Sequence, residues 1–352
     1  MKKTTAARTQ GNACLLGTLI ALGSIATSLA QTPAPAPVFA SPPPPPYVTP
    51  ETAQGTGPYP AIMEQDPALS THTLYRPQDM AALAGNKLPI VAFANGACRN
   101  LGNSFRYFLT EIASHGFLAI AIGPIGPQEV EVASSLNRGQ PAAGSPAAVQ
   151  AAAGKLIGPT AENKISPAYT TARQLVDAID WAQAENKRPG SKFFGRLDTA
   201  QIAVMGQSCG GLQAIDAAHD PRVKTLGVWN SGAFSDDKRA LEIAAAQATK
   251  ADLKTLRVPA IYVTGEPSDV AFKNAEDDFS RIEGIPLFRA WREQTGHGGT
   301  YREPNGGAFG RVAVAWLQWQ LKGDRTAAKM FTGADCGICK LADWHVSKKN
   351  ID

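Results

Sequence analysis

The sequence predicts an α/β protein with a mostly parallel central sheet and helices on both faces. Three observations lead there. Short, nearly continuous apolar runs such as Leu88-Pro-Ile-Val-Ala-Phe93 have the pattern of strands buried on both sides. They alternate with segments of helical spacing, separated widely enough for crossover connections. A chain of 352 residues that is 44% hydrophobic and 18% charged has ample material for one large core.

The first thirty residues read as a signal peptide rather than as part of the fold. Lys2, Lys3 and Arg8 precede an apolar run from about Ala13 to Ala26, and Ser28-Leu29-Ala30 places small residues where a signal peptidase cuts. The run is too short to span a bilayer comfortably, and no later stretch reaches about 18 uninterrupted apolar residues. An exported protein, periplasmic or extracellular, is therefore expected. Residues 31–56 hold nine prolines between Pro33 and Pro50, a density that neither a helix nor a central strand tolerates. They are expected to form a semi-rigid linker to a single domain over residues 57–352.

Within that domain, Thr71–Tyr75 reads as an early strand and Leu88–Phe93 as the first fully buried one. Phe105, Phe108, Leu109 and Ile112 give helical spacing over 104–114, ended by Gly116, and Phe117–Ile122 is the next strand. Residues 124–166, rich in Ala, Gly and Pro, are expected to form an insertion or partial lid. Residues 171–185 read as an amphipathic helix with Ala172, Leu175, Ile179, Trp181 and Ala182 in its apolar pattern. Strand 201–205, helix 210–218 and strands 225–229, 259–264 and 286–291 follow, and helix 307–322 comes near the end. No repeat of fixed period is present.

The formal net charge is +4, and three of those positive charges lie in the signal segment. A nearly neutral body lacks the basic patch of a nucleic-acid binder. The chemical signal is a Gly-x-Ser-x-Gly string, Gly206-Gln-Ser208-Cys-Gly210, set between the apolar strand Ile202–Met205 and a helix. Strand–turn–helix is the context a nucleophile elbow requires. Glycines two residues either side of Ser208 permit the turn, and the helix N-terminus favours a developing oxyanion.

A serine alcohol needs a base. In this arrangement the order along the chain is serine, acid, histidine. Of the five histidines, His72 and His115 precede Ser208, and His219 ends the following helix. His345 is a weak competitor near the C-terminus. His297, in Gly296-His-Gly-Gly299 after the last predicted strand, is the expected base. The acid should follow strand 259–264, where Glu266-Pro-Ser-Asp269 stands; Asp269 is preferred, with Glu266 as the alternative. Asp277 and Asp278, in the next predicted helix, read as a solvated face or cap. The oxyanion donors should be the amide of Cys209 and one from Ala94-Asn-Gly96-Ala97-Cys98, either Ala97 or Gly96.

The elbow, the Gly-Glu-Pro-Ser-Asp269 turn and the Gly-His-Gly-Gly loop resemble secreted α/β-hydrolase-fold serine esterases of the dienelactone-hydrolase-like and polyester-hydrolase-like kind. The resemblance covers roughly residues 57–345. It implies an α/β-hydrolase fold and cleavage of a small or polymeric carboxylic ester without cofactor or metal. The chain lacks the His-Gly-Gly-Gly string of the lipase–esterase branch, and it has serine where dienelactone hydrolases proper have cysteine. A non-catalytic binding protein on the same scaffold is the alternative.

Export makes disulfides plausible among Cys98, Cys209, Cys336 and Cys339. Their count allows three pairings. A local Cys336–Cys339 bridge is favoured over a redox or zinc site, since a fourth metal ligand at standard spacing is missing. Adjacency of the oxyanion loop and the elbow in this fold would bring Cys98 to Cys209, against the alternative of two free buried thiols. The ester itself and the oligomeric state are not readable from the sequence.

Overall fold

The computed structural model describes residues 52–126, 169–234 and 248–352. The predicted signal peptide, residues 31–51 of the linker and residues 127–166 of the predicted insertion lie outside the described residues.

Among the described residues, nine strands form one sheet in the order β1-β2-β4-β3-β5-β6-β7-β8-β9. They are β1 (Ala61–Glu64), β2 (His72–Pro77), β3 (Leu88–Ala94), β4 (Leu118–Ile122), β5 (Leu197–Gln207), β6 (Thr225–Trp229), β7 (Ala260–Gly265), β8 (Leu287–Arg292) and β9 (Trp344–Lys349). From β4 across to β8 every pairing is parallel, while β1, β2 and β9 run antiparallel to their neighbours. The helices are α1 (Arg106–Ser114), α2 (Ala172–Lys187), α3 (Cys209–Ala217), α4 (Phe272–Arg281), α5 (Gly307–Lys322) and the single turn α6 (Arg325–Ala328). This is a mostly parallel α/β architecture.

The apolar run of β3 is continuous because both of its faces are covered. Ile90 and Ala92 join a core with Leu175 and Ile179 of α2 and Leu212 and Ile215 of α3. Val91 and Phe93 join the opposite core with Phe108 and Ile112 of α1 and Phe309 and Trp316 of α5. Trp316 is fully buried and donates its indole N–H to Thr225 Oγ1 at 2.8 Å. Truncating such a residue to Ala costs roughly 3–5 kcal/mol. Thr171 and Gln174 close a reciprocal capping box that starts α2.

The structure departs from the sequence reading at the edges. Neither β1 nor β9 was expected: β1 is four residues long, and β9, Trp-His-Val-Ser-Lys-Lys, is polar and half exposed. A four-residue strand and a mostly polar one carry too few apolar positions for a period to be read from sequence. Strand β5 extends well beyond 201–205 at both ends. Gln54 bridges Ala61, and the amide of Thr56 donates to Glu111 Oε2 at 2.8 Å. Asp278 corrects the solvated-face reading. It is fully buried in α4, takes the amide of Ala233 at 2.8 Å and faces Lys250 Nζ at 2.5 Å. Asp277 stays at the surface side of the same pair, 2.8 Å from Lys250. Among the described residues, no helix is long and apolar enough to cross a membrane.

Candidate active site

The candidate site lies at the C-terminal ends of the parallel strands, where open α/β sheets gather their functional loops. Ser208 links the end of β5 directly to the start of α3, with φ 53° and ψ −120°. A left-handed φ in a serine costs of order 1–3 kcal/mol and persists only when the surroundings impose it. Here they do. The Ser208 amide donates to Trp229 O at 2.9 Å, and the Ser208 carbonyl accepts from Ser231 Oγ at 2.6 Å and from the amide of Gly211 at 2.9 Å. The backbone of α3 also runs so close to the end of β3 that a Cβ at Gly210 would collide with the Ala94 carbonyl. That contact requires glycine.

Three side chains from three loops meet in one hydrogen-bonded chain. His297 Nε2 lies 3.0 Å from Ser208 Oγ, and His297 Nδ1 lies 2.6 Å from Asp269 Oδ1. Both bonds are satisfied when Nδ1 carries the proton and Nε2 accepts from the serine hydroxyl. His297 and Asp269 are only 7% and 3% exposed. Burial pushes the Asp269 carboxyl up, but the His297 charge and the bonds from His297, the Ala271 amide and Asn230 outweigh it, so its pKa lies below the usual value. The remaining lone pairs of Asp269 take the Gly265 amide at 3.0 Å and Asn230 Nδ2 at 2.8 Å.

The expected oxyanion segment sits against this group. After β3, Ala97 and Cys98 turn with φ 54° and 48°. Cys98 and Cys209 are paired at disulfide distance, with Cα atoms 5.2 Å apart. This ties the loop carrying Gly96 and Ala97 to the first residue of α3. Gln213, one turn further along α3, adds bonds from Nε2 to Cys98 Sγ at 3.2 Å and to Thr170 O at 2.7 Å. The second pair, Cys336–Cys339, has Cα atoms 4.9 Å apart and forms the local bridge expected in the tail.

The alternatives resolve geometrically. Glu266 does not reach the imidazole; its Oε2 accepts the amides of Thr295 and Gly296, each at 3.0 Å. His345, on β9, stacks on Trp291 with ring centroids 3.7 Å apart and lies 2.9 Å from Glu293 Oε1. His219 contacts Asp252 O and Thr255 Oγ1 beyond the end of α3. His72 contacts Gln174 O, and His115 contacts Glu111.

Sequence reasoning missed Asn230 and Tyr301. Asn230 is fully buried with φ 40°, and its amide nitrogen binds both Asp269 Oδ2 and Gly296 O. Its oxygen accepts from Tyr301 Oη at 2.5 Å. Burial, then the Asp269 charge, raises the Tyr301 phenol well above its ordinary pKa, so it stays a donor. The available signal was position: Asn230 directly follows the parallel strand β6. Gln207 was also passed over; its Nε2 donates to His297 O at 3.2 Å.

Among the described residues, no group of His, Cys, Asp or Glu could hold a metal ion. A buried imidazole between a serine hydroxyl and an ionised carboxylate can move a proton, and the hydroxyl it accepts from can act as a nucleophile. Compared with known proteins, the chain matches no family model and no curated protein.

Proposed function

We propose that the chain is an exported serine esterase of the α/β-hydrolase fold, with Ser208, His297 and Asp269 as its catalytic triad. The observation that carries this reading is the continuous bond chain from Ser208 Oγ through the imidazole to Asp269. Its setting supports it: the serine on a strand–turn–helix with positive φ, the order serine, acid, histidine, and a donor loop directly after β3. The two paired cysteine couples accord with an oxidising compartment.

In this mechanism Ser208 Oγ attacks the ester carbonyl carbon while His297 Nε2 takes its proton. The amide of Cys209 and that of Ala97 or Gly96 receive the charge that develops on the carbonyl oxygen. Asp269 holds the imidazole in the Nδ1–H tautomer and stabilises the imidazolium. The imidazolium then protonates the leaving alkoxide, the alcohol departs, and an acyl-enzyme remains. Water, deprotonated by the same Nε2, attacks the acyl carbon, and Ser208 recovers its proton as the acid is released. No cofactor enters any step. The near-neutral chain suits a neutral ester, small or polymeric.

The test is turnover of a chromogenic short-chain ester, with the labelled residue located after inactivation by an alkyl phosphonate. The expected result is hydrolysis and phosphonylation at Ser208. A protein that neither turns over esters nor reacts at Ser208 would favour a binding role on the same scaffold.

A further inference from the structure

We infer that Glu266 is a positioning residue for His297, holding the histidine loop by its backbone; this rests on the esterase reading above. The loop needs holding. Gln294, Gly296 and Gly299 all have positive φ, at 58°, 53° and 55°, and glycines flank the imidazole closely on both sides. Glycine backbone has the largest freedom to lose, so without fixed partners this segment would sample many conformers.

The peptide groups before His297 are gripped from both sides. Glu266 Oε2 accepts the amides of Thr295 and Gly296, each at 3.0 Å, while Asn230 Nδ2 donates to the carbonyl of Gly296 at 3.0 Å. Glu266 is itself fixed, because Ser268 Oγ donates to its Oε1 at 2.6 Å and its carbonyl takes the Asp269 amide at 2.8 Å. The end of β7 lies directly beneath. A Cβ at Gly265 would run into the backbone of Gly296, so only glycine lets the two segments touch. One short turn, Gly265 to Asp269, therefore holds the imidazole by its Nδ1 through Asp269 and its backbone through Glu266. Burial raises the Glu266 carboxyl, but the bonds from Ser268, Gly296 and Thr295 outweigh it and keep it below the ordinary carboxylate range. The grip is thus charge-assisted at neutral pH, which roughly doubles the strength of each bond over a neutral one.

Glu266 touches no reacting atom in this arrangement. Its effect runs through the distance between Nε2 and Ser208 Oγ, and a misplacement of about 1 Å in such a group costs on the order of 100-fold in rate.

The experiment compares wild type, Glu266→Ala and Glu266→Gln as full chains. It reads kcat and KM on a chromogenic butyrate ester, thermal midpoints, and the low-field proton resonance of the His297 Nδ1–H. Glu266→Ala should lower kcat roughly 10- to 100-fold with KM within about twofold, and its low-field resonance should vanish into exchange. Glu266→Gln keeps an acceptor oxygen and should stay within about threefold of wild type with the resonance intact. Should Glu266→Ala not fold, Glu266→Asp retains the charge but withdraws the acceptor by one methylene, and a kcat loss without a KM change supports the proposal. Wild-type kcat and resonance in the Ala variant, or in the Asp variant where that replaces it, overturn it. So does a loss confined to the thermal midpoint. If wild type cleaves no ester, the esterase reading fails, while the resonance still decides the role of Glu266.

Discussion

The serine turn and the histidine loop meet at a 3.0 Å contact but are built on different principles. Ser208 sits between a central strand and a helix, its backbone bonded to β6 and its neighbour Cys209 paired with Cys98. The histidine loop has no covalent tie and is flanked by glycines. It is fixed through hydrogen bonds to Asp269, Asn230, Glu266 and Gln207. The difference fits the proposed roles. A nucleophile and its oxyanion donors gain from rigid placement fixed before substrate arrives. An imidazole that takes a proton at one step and returns it at the next needs orientation, and it needs a partner whose fixed negative charge stabilises the imidazolium.

Breaking the serine half chemically should give the largest effect. Ser208→Ala should lower kcat by a factor on the order of 10⁴ or more with the fold intact by circular dichroism. Near-wild-type turnover would remove Ser208 from the chemistry. Breaking the histidine half at its acid should come close behind. Asp269→Asn offers Nδ1 an amide that can present a donor instead of an acceptor, which permits the wrong tautomer, and kcat should fall by roughly 10³–10⁴. Glu266→Gln should do far less. The reverse ranking would transfer the acid role to Glu266, against the observed bonding.

The scaffold of the serine half can be tested separately. In a Cys98→Ala/Cys209→Ala double variant the backbone amides remain, but the link across 111 residues of sequence is gone. Loss of a native disulfide typically costs about 2–5 kcal/mol of stability. The esterase reading adds a kinetic effect: kcat should fall roughly tenfold at temperatures where the variant is still folded, because the donor loop is no longer fixed to α3. A variant with lower stability and unchanged kcat would show that the bridge serves the fold alone.

Much of this site was legible because its parts carry local signals. The elbow combines a motif with a strand before it and a helix after it, and His297 is bracketed by glycines in a loop after a strand. Asp269 follows the end of β7 at a distance that a short turn can bridge. The pairing of Cys98 with Cys209 followed once adjacent strands were assumed. What escaped has no local signature. Asn230 and Tyr301 act through partners dozens of residues away, at separations of 39 and 71. Glu266 was weighed only as an acid, because sequence shows a carboxylate but not which backbone amides will face it. Strand β1 is only four residues long and β9 is mostly polar, so neither offers a readable run. Asp278 read as solvated because helical periodicity cannot reveal that Lys250 will cover it.

Asp278 also sharpens the comparison from outside the site, with the smallest expected effect. It and Asp269 are both deeply buried, yet their acidities diverge. Asp269 takes the Gly265 and Ala271 amides, the Asn230 amide group and the imidazole, and its pKa falls. Asp278 has Lys250, the Ala233 amide and the Tyr262 hydroxyl, which do not offset its burial, and its pKa is pushed up to about 6. The signs follow by linkage. Asp269 contributes stability above its unfolded pKa near 4, and that contribution is lost as pH falls through its lower folded value. For Asp278 the native state holds a proton that the unfolded chain has released, between about pH 4 and 6. Its burial cost is therefore fully present above about 6 and is relieved as the pH falls toward 4. In urea titrations, wild type should gain stability relative to Asp278→Asn on acidification from pH 7 to 4.5, by of order 1–3 kcal/mol. The altered contact with Lys250 adds an offset of its own, already present at pH 7, so the slope with pH carries the information. Turnover at pH 7.5 should match wild type, because Asp278 lies outside the bonded chain that reaches Ser208. A flat or inverted difference would mean that Lys250 fully compensates the burial, and the contrast between the two aspartates would then disappear.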